Sequence, residues 1–89
     1  NRNDNLLICD FFNNRIRRIF PNVNNTYTIA TAAGTGVEGY NGDNILATNA
    51  TIFFPVDITV DSANNAVYFI DNSNNRIRKI ELSSGIIST

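Results

Sequence analysis

Residues 10–19 read Asp10-Phe11-Phe12-Asn13-Asn14-Arg15-Ile16-Arg17-Arg18-Ile19, and residues 71–80 read Asp71-Asn72-Ser73-Asn74-Asn75-Arg76-Ile77-Arg78-Lys79-Ile80. At an offset of 61 residues (71 − 10), seven of the ten positions are identical, and Arg18 against Lys79 keeps its charge. Upstream, Leu6-Leu7-Ile8-Cys9 meets Val67-Tyr68-Phe69-Ile70, both apolar runs of strand type. Downstream, Ile29-Ala30-Thr31 meets Ile87-Ser88-Thr89 at an offset of 58 (87 − 29). The difference of three falls in the turn-rich stretch Pro21-Asn22-Val23-Asn24-Asn25, where a loop absorbs length that a strand would not. The chain therefore holds a repeat of about 58 residues, in fewer than two copies.

The segments between the turns read as strands. Val56-Asp57-Ile58-Thr59-Val60-Asp61 alternates and puts Val56, Ile58 and Val60 on one face. Ser62-Ala63-Asn64-Asn65 is a hairpin turn, Ala66 to Ile70 a buried strand, Asp71 to Asn75 a turn and Arg76 to Leu82 a third strand. Ser83-Ser84-Gly85 turns the chain into a fourth strand from Ile86. The earlier copy supplies strands at 6–9, 15–20 and 27–33. Short segments rich in β-branched and aromatic residues, punctuated by Asn, Gly and Ser, argue against helix. The reading is all-β: a β-propeller fragment of about one and three-quarter four-stranded antiparallel blades. Residues 1–33 form a partial blade (second to fourth strands), 34–54 an inter-blade linker and 55–89 a second blade with its fourth strand truncated. A β-sandwich is the rival architecture, but it requires no repeat.

Composition narrows the chemistry. Seven basic and eight acidic residues leave a net charge of −1, with no global pull toward nucleic acid or anionic lipid. Histidine is absent, which removes the commonest general base and metal ligand. The single cysteine, Cys9, sits in an apolar run and reads as a buried, inert thiol. No apolar run approaches the ~20 residues of a membrane helix, and the opening Asn1-Arg2-Asn3-Asp4-Asn5 has no signal-peptide core. The glycosylation acceptor pattern occurs at Asn24 and Asn49. Sixteen asparagines among 89 residues would produce about two such matches by chance, so they carry no inference of secretion.

Residues 34–43, GTGVEGYNGD, contain a G-x-G-x-x-G pattern. A dinucleotide site needs a helix start after the glycines, to present free N–H groups to the pyrophosphate. Here Tyr40-Asn41-Gly42-Asp43-Asn44, a cluster of turn formers, follows instead. The stretch reads as the link between blades, with Asn44 to Ala50 forming a short helical turn, and no cofactor is expected.

Asp10 with Arg15, and Asp71 with Arg76, are the conspicuous polar pairs. A catalytic site occurs once in a propeller, whereas these pairs recur. They therefore read as a hairpin clasp formed by Asp10, Asn14, Arg15, Asp71, Asn75 and Arg76, the carboxylate capping turn N–H groups and the arginine tying strand to strand. Asn41-Gly42-Asp43-Asn44 lacks the spaced acids of a calcium loop and reads as a turn. Neither a Ser-His-Asp set nor a repeated acid pair is present, so no catalytic residue is expected.

These motifs resemble the NHL repeat family of β-propellers. The resemblance rests on Pro55-Val56-Asp57-Ile58-Thr59-Val60-Asp61, on Val67-Tyr68-Phe69-Ile70-Asp71 and on Asn74-Asn75-Arg76-Ile77-Arg78-Lys79-Ile80. Ala33-Gly34-Thr35-Gly36, Gly39-Tyr40-Asn41-Gly42-Asp43, Ala47-Thr48 and Ala50 look like its long-linker variant. Two stretches depart from the pattern: Ile52-Phe53-Phe54 is bulky, and Phe11-Phe12 replaces the small polar tip that the second copy keeps as Asn72-Ser73. The resemblance implies a fragment of a larger ring acting as a non-catalytic scaffold that mediates protein–protein or other ligand interaction, with a protein the expected partner. It also implies an alternative, RNA binding through the basic third strands, and a more distant one, a lyase or lactonase with its site on further blades. The candidate interaction residues are Arg17, Arg18, Arg78, Lys79, Phe11 and Phe12. A lone pair of blades is expected to expose Ile58, Phe69 and Ile80 and to need further blades or self-association.

Overall fold

The structure, a computed structural model, describes residues 6–89; the polar opening stretch 1–5 lies outside them. Strands β1 (Leu6–Asp10), β2 (Arg15–Pro21) and β3 (Tyr27–Ala33) form one antiparallel sheet in the order β1-β2-β3. Strands β5 (Pro55–Asp61), β6 (Ala66–Asp71), β7 (Arg76–Glu81) and β8 (Ile86–Ser88) form a second antiparallel meander. The link between the sheets is more ordered than a loop. Its Ile45–Leu46 make a short strand, β4, on the outside of β8, giving the order β4-β8-β7-β6-β5. A single 3-10 turn, Ala47–Asn49, falls within the expected helical stretch.

The two copies share their local geometry. The hairpins β1–β2 and β6–β7 each close through a 3-10 turn, Phe11–Asn13 and Asn72–Asn74 respectively. Each turn ends on an asparagine in the left-handed region, Asn14 at φ 54° and Asn75 at φ 56°. Asparagine tolerates that conformation better than other non-glycine residues, which explains why both copies keep it.

One face of the first sheet, carrying Leu7, Ile16 and Ala33, packs on the face of the second that carries Val67, Phe69, Ile80 and Ile87. Ala47, Ala50 and Ile52 from the link fill the space at their margin. Fully burying a side chain such as Ile52 stabilises by about 1.5–3 kcal/mol, so the link is an integral part of the core. This packing corrects the expectation for Phe69 and Ile80: both are buried, and Ile58 is half-buried against the same cluster. The outward faces do carry open apolar residues, Leu6, Ile8 and Ile29 on the first sheet and Ile77 on the second, while on the inward face Val60 stays 51% exposed.

A second correction concerns β5. The register slips between Val56 and Ile58, leaving Asp57 as the extra residue at φ 49°. Val56 then pairs with Ile70 and Ile58 with Phe69, neighbours on opposite faces of β6. A β-bulge adds one residue to one strand and so reverses the facing of everything before it. Val56 therefore does not share the face of Ile58 and Val60.

Candidate functional site

The conserved geometry of the two copies is a triad at each hairpin tip, but its members differ from the expected clasp. Asn13 Nδ2 donates to Asp10 Oδ1 at 2.9 Å, and Asn74 Nδ2 donates to Asp71 Oδ2 at 2.9 Å. The cation that meets each acid is the arginine seven residues on, not five. Arg17 lies 3.7 Å from Asp10, and Arg78 lies 2.9 Å from Asp71. Asp71 stands directly opposite Arg76 in the register, with Arg78 diagonal to it on the same face, within reach of a long side chain. Neither acid caps its 3-10 turn through a side-chain bond to the backbone.

Arg15 and Arg76 are used elsewhere. Arg15 Nη2 donates to the carbonyl of Thr35 at 2.9 Å. Gly36 lies over that guanidinium, where an added Cβ would come within 2.6 Å of Arg15 Nη2. Gly34 presses on the hairpin itself: a Cβ there would stand 2.4 Å from the Asn14 carbonyl oxygen. Both glycines sit at φ 95°. They are close-approach points at which the link seats the first hairpin tip, and no helix begins in the residues that follow them. Arg76 stacks on the Tyr40 ring, its guanidinium carbon 3.8 Å from the centroid.

In the second copy the triad is enclosed. Asp71 and Arg78 both have no exposed surface. The Phe53 N–H donates to Asp71 Oδ1 at 2.8 Å. Arg78 Nη2 donates to the Gly42 carbonyl at 2.9 Å and to Asp43 Oδ1 at 3.2 Å. Asn74 Nδ2 also donates to the Gly39 carbonyl at 2.8 Å. Tyr40 closes the cluster, its hydroxyl donating to Asp43 Oδ2 at 3.3 Å. Arg78 was expected on an interaction surface; it is instead a buried cation neutralised by two acids. Lys79 is half-buried on the outward face, and Arg18 is exposed and stacks over Phe20 at 4.8 Å.

The first hairpin tip differs from the second in one feature that points outward. Phe11, Phe12 and Phe54 form an aromatic cluster, with centroid separations of 4.7, 5.1 and 6.1 Å. Phe54 is fixed there because its N–H donates to Asn14 Oδ1 at 2.9 Å. Phe12 remains 83% exposed at the apex. The Cys9 thiol lies on the inward-facing side of β1, and burial, with the negative charge of Asp57 second, pushes its pKa above the ordinary thiol range. Between the sheets an open cleft of about 220 Å³ is lined by Leu7, Ile16, Thr31, Val67 and Ile80, among others. That is below the roughly 300–1,000 Å³ of small-molecule sites.

Sequence reasoning located the two acids of the clasp but named Asn14, Arg15, Asn75 and Arg76 where Asn13, Arg17, Asn74 and Arg78 meet them, and it missed Thr35, Tyr40, Asp43 and Phe54, which hold the side chains of both hairpin tips. All four were in view, in the stretch read as linker. What was lacking was any local signal that the link folds back over the hairpins. No protein-family model matches the chain, and no curated protein matches it.

Proposed function

We propose that the chain is a segment of an NHL-like β-propeller that acts as a non-catalytic scaffold and engages a protein partner through its first hairpin tip. The repeat supports the propeller part of this reading. By the 61-residue offset (71 − 10), Leu7, Ile16 and Arg18 on the inward face of the first sheet correspond to Tyr68, Ile77 and Lys79 on the outward face of the second. The second sheet thus offers a further sheet the same face that the first offers to it. Such stacking, repeated around an axis, is how blades assemble.

The observation that carries the function is Phe12. Exposed aromatics braced by neighbouring rings are typical interface anchors, and the corresponding tip of the second copy has none. The test exchanges the tips. Phe11→Asn with Phe12→Ser gives the first hairpin the residues of the second, at positions whose backbone is the same in both. Capture from an extract, with nuclease added, is expected to recover a protein with the unmodified chain and to lose it with the exchanged tip. Retention of the same partner by the exchanged tip overturns the assignment. Recovery of RNA when the nuclease is omitted, with affinity falling steeply as salt rises, replaces it with the basic-strand reading.

A further inference from the structure

The two copies carry the same residues in different surroundings, and this gives an internal control. In the second sheet β6 has β5 along one edge, and the inner face is covered by the first sheet and, at its margin, by the link that runs from β4, outside β8, to β5. Val67 and Phe69 are each 1% exposed there, and Ile87 is 0% exposed. Their counterparts in the first sheet are Leu6 at 63%, Ile8 at 44% and Ile29 at 59%. Among the described residues β1 pairs with β2 alone. Arg17, the counterpart of the enclosed Arg78, keeps 31% of its side chain exposed.

The geometry points to this edge and face of the first sheet as a receptor for an extended polypeptide segment with the chemistry of the chain's own residues 39–61. The segment adds a strand antiparallel to β1, as β5 does to β6. Its carboxylate and preceding carbonyl meet Arg17, as Asp43 and Gly42 meet Arg78. A backbone N–H two residues ahead of a proline meets Asp10, as that of Phe53 meets Asp71. A short apolar strand lies outside β3 over Ile29, as Ile45 lies beside Ile87. Main-chain pairing supplies affinity in this mode, and the polar contacts fix register. The inference needs only the equivalence of the two copies; it stands whether or not the sheets belong to a ring, and it does not involve the aromatic tip.

A synthetic peptide of residues 39–61, titrated into the intact chain, tests it. Saturable one-to-one binding is expected, with amide hydrogen exchange slowed in β1 and β3. Arg17→Gln is expected to weaken binding about tenfold or more, the range for losing hydrogen bonds to a charged group. Lys79→Gln, on the outward face of the second sheet, is expected to leave binding unchanged. Absence of saturable binding, protection confined to the second sheet, or equal effects of the two substitutions overturns the proposal. The exchange map of the unmodified chain decides the matter by itself if Arg17→Gln does not fold.

Discussion

Replacing Asp71 by Ala should cost far more than replacing Asp10 by Ala, although the two acids occupy the same position in their repeats. Asp71 accepts hydrogen bonds from the Phe53 N–H at 2.8 Å and from Asn74 Nδ2 and Arg78 Nη1, both at 2.9 Å. Its removal leaves Arg78, which has no exposed surface, with Asp43 as its remaining acid. Breaking a buried ion pair from one side costs about 3–5 kcal/mol, because the surviving charge stays desolvated. Asp10 keeps 27% of its side chain exposed and stands 3.7 Å from Arg17, which is 31% exposed. A pair in that setting contributes about 0–1 kcal/mol. A domain of this length has about 4–13 kcal/mol in total at 0.05–0.15 kcal/mol per residue. Asp71→Ala therefore removes a large share of it and lowers Tm by roughly 12–40 °C, at 4–8 °C for each kcal/mol. Asp10→Ala shifts Tm by less than about 8 °C on the same scale. Urea and thermal unfolding followed by far-UV circular dichroism measure both. The double variant Asp71→Ala with Arg78→Met isolates the cause: removing the stranded charge should recover part of the loss. Equal destabilisation by the two alanines, or no recovery in the double variant, would refute the reasoning.

The remaining predictions use the same internal pairing where it exists. Asn14→Gly and Asn75→Gly both preserve the left-handed conformation, but only Asn14 is seen accepting the N–H of Phe54. Asn14→Gly should be the more destabilising by about 1 kcal/mol or more in urea unfolding, and parity would show that this bond contributes nothing. Gly34→Ala should destabilise by at least the about 1–3 kcal/mol of a strained backbone, since its Cβ also meets the Asn14 carbonyl at 2.4 Å. Gly42→Ala, at φ 113° with open space around it, should cost only the strain, so an equal loss at both positions would contradict the close approach. Cys9 should alkylate more slowly in the folded chain than in urea at mildly alkaline pH, and Asp57→Asn should speed it. Because folding raises this pKa, the thiol's contribution to stability is complete below its ordinary range and is lost as pH rises through the raised value. A folded-state rate equal to that in urea would contradict the burial of the thiol.

Most strand positions were legible because the strands are short, rich in β-branched and aromatic residues and set off by turns of Asn, Ser or Gly, and because the repeat shows three of them twice. Two features of the fold escaped that reading. Ile45–Leu46 has no periodicity of its own; it is a strand only because Ile87, far along the chain, offers an unpaired edge. Val-Asp-Ile-Thr-Val-Asp alternates without flaw in sequence, yet Asp57 at φ 49° steps out of the ladder and turns Val56 to the other face. Alternation reports which residues can share a face. A bulge is decided by what the strand must pass beside, and here β5 runs against both β6 and the first sheet.

The site shows the same limit more sharply. Seven shared residues identified the hairpin tip, and pairing each acid with the arginine directly across the hairpin was the natural expectation. The diagonal arginine meets the acid in both copies because the link takes the nearer one, the Thr35 carbonyl accepting from Arg15 and the Tyr40 ring stacking on Arg76; in the second copy alone, Gly42 and Asp43 also hold Arg78 over Asp71. Identical triads therefore carry different energies. One lies beneath residues 39–54 and is sealed from water; the other lies at a sheet edge with 31% of its cation's side chain exposed. In an array of repeats the stability of a unit includes a term for its interface with the neighbour, and here that term acts through the link. The energetic weight of Asp71 belongs to the repeat and the preceding link together, which is why Asp10, with the same side chain on the same turn, is expected to be dispensable.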